Sequence, residues 1–101
     1  MNLARFLNKL FKKDGFILID AHLKKYIIGE PEKKTPIILK ILKKNLHYKL
    51  LLRPDLYFGE AYSNGEVKIE NGTLTEFLDL ALKNIGRGEL NFFSQLVNKL
   101  S

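Results

Sequence analysis

Residues able to do acid–base or metal chemistry are few and scattered in this chain. His22 and His47 stand far apart in the sequence and lack the spacing of metal ligands, so surface roles are expected for both. Glu60 lies in an apolar run between Gly59 and Tyr62, where a carboxylate is either solvated or accepts specific hydrogen bonds. The chain has no cysteine, which excludes disulfides, thiolate metal sites and a cysteine nucleophile.

Nucleotide-binding and nucleophilic motifs are also missing from the sequence. There is no phosphate-binding glycine loop, and no serine, histidine and aspartate cluster suggests a nucleophile. Gly86-Arg87-Gly88 follows a predicted helix rather than a strand, so it is interpreted as a helix terminator. The sequence therefore predicts no catalytic residue, no metal and no cofactor within this chain.

Positive charge is concentrated in the first half of the chain. Residues 1–53 hold 13 Lys/Arg and 4 Asp/Glu, whereas residues 54–101 hold 4 and 7, within a total net charge of +6. A one-sided basic surface suggests a polyanionic partner, which is anionic phospholipid, nucleic acid or an acidic protein. A solubilising lysine-rich surface without a partner is the plainer alternative.

The ends and hydropathy of the chain favour a cytoplasmic location. Charge interrupts the apolar residues at the N-terminus, which does not resemble a secretory signal. No stretch reaches the apolar length needed to span a bilayer.

The pattern of apolar residues predicts one α+β domain over residues 1–101, with a small antiparallel sheet and helices packed on one face. Strands are predicted over residues 16–20, 25–29, 35–41 and 66–70. Helices are predicted over residues 3–11, 45–53, 56–62, 74–85 and 90–100. The strand at 35–41 is ambiguous because Thr35-Pro36 also suits the start of a helix, and Asn64-Gly65 is taken as a helix exit although it also suits a hairpin turn.

The first predicted helix is short, basic and amphipathic, which suits a segment at a membrane surface. A helix of this length is marginal in water, so it must dock on the domain, on a partner or on a membrane. The residues predicted to contact lipid are Arg5, Phe6, Lys9, Phe11, Lys12 and Lys13.

A nucleic-acid-binding function is a weaker alternative. It requires a basic face with exposed aromatic rings or a known motif. Phe6, Phe11, Phe77 and Phe93 all lie on the apolar stripes of predicted helices, where core packing is more common than base stacking.

Residues 50–70 carry a family resemblance. The residues Pro54, Asp55, Gly59, Glu60, Tyr62 and Gly65, followed by a strand and a leucine-rich helix, resemble the N-terminal domain of bacterial cyclopropane-fatty-acyl-phospholipid synthases. The likeness extends to the opening helix and so covers nearly the whole chain. Ser63-Asn64 departs from the Met-Asp expected before the glycine, and Asn also tolerates that turn.

The resemblance implies a function in lipid modification. The family transfers a methylene group from S-adenosylmethionine to the double bond of a phospholipid acyl chain, and its cofactor and catalytic residues lie in a Rossmann-like methyltransferase domain that this chain lacks. The N-terminal domain is then expected to be a non-catalytic, sterol-carrier-like module, peripheral to the inner face of the membrane. Its expected partners are anionic phospholipid or an acyl chain, the methyltransferase domain in cis or in trans, and a second copy. Residues 90–100 offer a surface for protein contacts, which makes an interaction module the main alternative.

Overall fold

The computed structural model describes residues 2–85, apart from the side chain of Asp55, and within them the chain forms four helices and four strands. In chain order the elements are α1 (Asn2–Leu10), β1 (Gly15–Ile19), β2 (Lys25–Gly29), β3 (Ile38–Ile41), α2 (Leu46–Leu52), α3 (Pro54–Ser63), β4 (Val67–Glu70) and α4 (Leu74–Asn84). The predicted helix over 90–100 and the terminator at Gly86 and Gly88 lie outside the described residues. The α+β class is confirmed.

The four strands form one mixed sheet in the order β2-β1-β3-β4. β2 is antiparallel to β1, and β4 is antiparallel to β3. The expectation of a wholly antiparallel sheet is wrong at the centre, where β3 runs parallel to β1 with Ile17 opposite Ile38. β2 ends at the end of the sheet where β1 starts. Residues 30–37 cross over β1 at that end, so β3 starts beside the start of β1 and runs in the same direction.

The helices cover one face of this sheet. Phe16 and Leu18 of β1 point to that face and join a buried core to which α1, α2, α3 and α4 all contribute. Ile17 lies between them on the opposite face and is not part of that core cluster. This alternation is the period of two expected of a strand with one packed face.

Phe16 is the centre of the core. Its ring packs edge-on against Phe11, with the ring centroids 5.0 Å apart, and against Phe77 of α4 at 5.1 Å. Phe58 of α3 stacks on Phe77 at 5.5 Å. These are favoured aromatic geometries, and they connect the sheet to α3, to α4 and to the residue after α1.

α1 docks along the edge strand β2 through Asn8. The Asn8 side chain accepts a hydrogen bond from the backbone N–H of Gly29 at 2.8 Å and donates to the carbonyl oxygen of Ile27 at 3.4 Å. These bonds take the place of a neighbouring strand and protect the edge from pairing with another chain. The first helix was expected to dock on the domain, on a partner or on a membrane. In the structure it docks on the domain.

Most predicted elements lie where the sequence placed them. β2 has the expected limits. α3 begins at Pro54, two residues before the predicted start, and Gly65 lies just past its end in the left-handed conformation at φ 72°. β3 begins at Ile38 rather than at residue 35. Pro36 precedes it and has no N–H to give to a strand ladder.

Candidate functional site

An apolar cavity lies between the helices and the sheet. Its volume is about 510 Å³, inside the range of about 300–1,000 Å³ that is usual for small-molecule sites. Its floor is formed by Leu18 and Leu39 of the sheet, and its walls by residues such as Leu7 of α1, Leu50 of α2 and Ala81 of α4. All 17 described residues that line it are apolar. Such a lining offers contacts to hydrocarbon and no side-chain hydrogen bonds to a polar ligand.

Part of the cavity wall lies at the surface, at the junction of α2 and α3. Leu52 lines the cavity and yet is 75 % exposed, and Pro54 lines it next to the bend. Lys49 lies one helical turn before Leu52 and is exposed. The Lys49 ammonium lies 5.4 Å from the centre of the Tyr57 ring. This part of the wall therefore lies within one helical turn of a cationic side chain.

The residues of α3 and its following turn that carry the family resemblance have mainly structural roles. Gly59 is buried, Tyr62 packs against the core, and Gly65 takes the turn after the helix. The carboxylate of Glu60 was expected to be either solvated or held by specific hydrogen bonds. The residue is exposed, which favours solvation. Pro54 contributes to the cavity wall. The side chain of Asp55 lies outside the description.

The residues predicted to contact lipid from the first helix divide into two groups. The four cations are exposed, and they are Arg5, Lys9, Lys12 and Lys13. Phe6 is half-buried and lines the cavity, whereas Phe11 is 3 % exposed and packs on Phe16. Phe11 cannot touch a bilayer in this conformation, because its ring is part of the core. Burial of Phe11 and Phe77 likewise removes two of the four rings considered for base stacking; Phe93 lies outside the described residues.

The two histidines, distant in the sequence, meet at the end of the sheet where β1 and β3 finish. The ring centroids of His22 and His47 are 6.2 Å apart. The backbone N–H of Ala21 donates to Nε2 of His47, with the two nitrogens 3.2 Å apart. Next to them the Asp20 carboxylate is 4 % exposed and accepts the backbone N–H groups of His22 and Lys24, each at 2.9 Å.

The ionisation of this cluster follows from burial and hydrogen bonding. Burial lowers the pKa of His47, against the attraction of the Asp20 carboxylate, and nearby His22 lowers it further. Burial by itself raises the pKa of Asp20, but the hydrogen bonds from Lys24 and His22, together with the charges of the two histidines, outweigh it, and the net shift is downward.

The side chains of Asp20 and His47 hold backbone segments together. Nε2 of His47 is taken by Ala21, and Oδ1 of Asp20 is taken by two backbone donors. Among residues 2–85, no group of three or more His, Asp or Glu side chains is arranged to hold a metal ion. Sequence spacing gave no sign of this cluster, because a hairpin and a distant helix build it together.

Comparison with known proteins does not place the chain in a family. No family model matches it, and no curated protein matches it.

A transmembrane helix is absent from the described part of the chain. None of the helices within residues 2–85 has both the length and the hydropathy needed to cross a bilayer.

Proposed function

We propose that this is a non-catalytic lipid-binding domain, which holds an acyl chain in its apolar cavity and presents it to a methyltransferase domain of the cyclopropane-fatty-acyl-phospholipid synthase type. The observation that carries the proposal is the cavity of about 510 Å³ lined by apolar side chains. The resemblance of residues 50–70 to the N-terminal domain of those synthases supports the same conclusion.

The chemistry of the lining favours a flexible hydrocarbon. A polar small molecule needs a few placed donors and acceptors to orient it, and the described lining has no polar side chain. An acyl chain requires none, because removing apolar surface from water is itself the driving force. A carboxylate or phosphate head group beside Leu52 would lie within one helical turn of the exposed Lys49.

The lining also explains why the domain would need a partner. No acid or base faces the interior among the described lining residues, so a bound chain meets no group that could transfer a proton or attack it. The proposed partner is a methyltransferase domain in cis or in trans, and S-adenosylmethionine would bind to that domain. The proposed location is the inner face of the membrane, at its periphery.

Native mass spectrometry of the full chain with palmitate tests the proposal, together with titration of a dansyl-labelled fatty acid. We expect one acyl chain per domain. Leu51→Trp fills the half-buried wall of the cavity and should weaken binding by about tenfold or more, because the added ring occupies the volume of the ligand. Leu82→Trp, on the exposed side of α4, is the matched control and should bind like the parent.

Circular dichroism and urea unfolding establish that both variants fold. If Leu51→Trp is misfolded, Leu7→Trp in the part of the wall formed by α1 replaces it. A parent chain that binds no fatty acid, or a folded wall variant that binds as well as the parent, would falsify the proposal.

Homodimerisation is the second candidate function. On the sheet face opposite the four described helices, Ile27, Ile17 and Ile38 form a row across three strands; Ile27 is 62 % exposed and Ile17 8 %. The resemblance to the synthase family supports dimerisation as well. Light scattering over a concentration series tests it: Ile27→Lys should shift a dimer to monomer, and a monomeric parent chain would contradict this second function.

A further inference from the structure

One end of the sheet combines exposed cations with exposed apolar side chains. Because β1 and β3 are parallel, the turn after β1 and the segment after β3 emerge at the same end. The hydrogen bond from Ala21 to His47 joins them. We call residues 20–25 and 42–48 together the basic end.

The exposed charge of the basic end is positive. Its four lysines are all exposed, and they are Lys24, Lys25, Lys43 and Lys44. Asp20 is the acid within these two ranges, and its buried carboxylate is engaged by backbone N–H groups. Half-buried Glu66 borders the patch, where its carbonyl oxygen accepts the N–H of Leu42.

The same end displays large apolar side chains to water. Leu23 is 83 % exposed, Tyr48 73 % and Leu42 47 %. The described residues include seven exposed large hydrophobic side chains, and these are three of them. Leu23 stands at the tip of the hairpin in the left-handed conformation, at φ 67°. A leucine there costs about 1 kcal/mol, and so exposed a side chain gains little from packing in return.

We propose that the basic end docks on an anionic phospholipid bilayer, with Leu23, Leu42 and Tyr48 entering the interface and the four lysines meeting lipid phosphates. This rests on the proposed function, since it identifies where a domain that takes up acyl chains meets the membrane. Lysine next to apolar side chains is the composition that suits a membrane surface. A single-stranded nucleic acid would instead favour arginine and several stacking rings, and the basic end has no arginine and, histidines apart, one aromatic ring.

The basic end fits a bilayer better than α1 does. α1 carries exposed cations, but its apolar side chains Leu3, Phe6 and Leu7 pack toward the core or the cavity. Of the large hydrophobic residues that are exposed in the described chain, none lies in α1. A bilayer docked on α1 would therefore gain electrostatic attraction without apolar insertion.

Tryptophan fluorescence tests the position of the surface, because the chain has no tryptophan of its own. Leu23→Trp reports on the hairpin tip, and Thr35→Trp, in the loop at the other end of the sheet, is the matched control. With vesicles of phosphatidylglycerol and phosphatidylcholine at low salt, we expect the emission of Leu23→Trp to shift to the blue and to be quenched by brominated lipid. The emission of Thr35→Trp should stay unchanged, as should that of Leu23→Trp with phosphatidylcholine alone.

Charge removal tests the electrostatic part by vesicle co-sedimentation. Lys43→Gln with Lys44→Gln should weaken binding about 30-fold, the effect of two lysines near an anionic leaflet. Lys34→Gln with Lys68→Gln removes the same charge from exposed positions outside the basic end and should change binding less than about threefold. Lys9→Gln with Lys12→Gln, in α1 and just after it, is the competing variant and is called the α1 variant.

Three results would overturn the proposal. The first is no binding to anionic vesicles, and the second is a larger loss of vesicle binding in the α1 variant than in the basic-end variant. The third is that the chain retains an RNA oligonucleotide but does not bind vesicles. Palmitate binding in solution is measured on the same samples. A chain that binds palmitate but not vesicles refutes the docking surface and leaves the proposed function standing. One that binds vesicles through the basic end but no palmitate supports the surface and refutes the cavity.

Discussion

The imidazole of His47 accepts a hydrogen bond from the backbone N–H of Ala21, with 3.2 Å between the two nitrogens. The bond joins the first turn of α2 to the hairpin between β1 and β2. Because Nε2 is the acceptor, the neutral ring carries its proton on Nδ1. A proton added to Nε2 must break the bond, so the contact depends on the ionisation of one side chain.

The free energy of unfolding should therefore fall in mild acid. Burial lowers the pKa of His47 in the folded chain, so the unfolded chain takes up the proton first as the pH drops below 6.5. The contribution of His47 to stability is then constant well above this pH, falls until the pH passes the folded-state pKa, and is constant below it. Urea unfolding at about pH 7.5 and about pH 5.5 measures the loss, which we expect to be about 1 kcal/mol, one net hydrogen bond.

His47→Gln is the control for this pH dependence, since its amide oxygen accepts a hydrogen bond without titrating. Stability of the variant should change less between the two pH values. An unchanged pH profile would show that His47 does not titrate in this range.

The Asp20 carboxylate should be the strongest single contact in the hairpin. Asp20→Ala removes the acceptor of two backbone N–H groups and should cost about 2–3 kcal/mol, because bonds to a charged group are worth more than neutral ones. Both bonds go to one oxygen, so Asp20→Asn should cost less. Chemical denaturation of the two variants measures the difference, and equal losses would assign the effect to charge rather than to the bonds.

The N-terminus of α4 depends on Thr73. Its hydroxyl accepts the backbone N–H of Glu76 at 3.1 Å, and the Glu76 carboxylate accepts the N–H of Thr73 at 3.0 Å. Thr73→Ala should lower the free energy of unfolding by about 1 kcal/mol. Thr75→Ala, two residues on and exposed, removes a hydroxyl that takes no part in this pair of bonds and should have a smaller effect.

Two glycines with similar backbone angles should respond differently to alanine. Gly29 and Gly65 have φ of 67° and 72°. A Cβ at Gly29 would come within 2.5 Å of the Asp14 carbonyl oxygen, whereas at Gly65 it meets nothing within 4 Å. Gly65→Ala should cost about 1 kcal/mol, the conformational strain, and Gly29→Ala about 1–3 kcal/mol more from crowding. Thermal unfolding ranks them, and equal losses would contradict the crowding argument.

Local signals predicted the elements well. Alternating residues identified the strand at Val67–Glu70, and the Thr73 to Glu76 spacing identified the start of α4. These signals depend only on residues close in the sequence, so they can be read without knowledge of the fold. Pro36 precedes β3, although the prediction placed it within the strand, because a residue without an N–H cannot donate to the strand ladder.

The sequence by itself determined the apolar pattern of helices and strands, the α+β class and the lack of a recognisable catalytic motif, because propensity, capping and periodicity are properties of neighbouring residues. Only the tertiary structure decided that β1 and β3 are parallel, that Phe11 is buried, that His22 and His47 meet, and that the helices enclose a cavity. Those outcomes depend on how distant segments pack together, and a pairing across the chain is chosen by the burial it achieves rather than by the residues on either side of it.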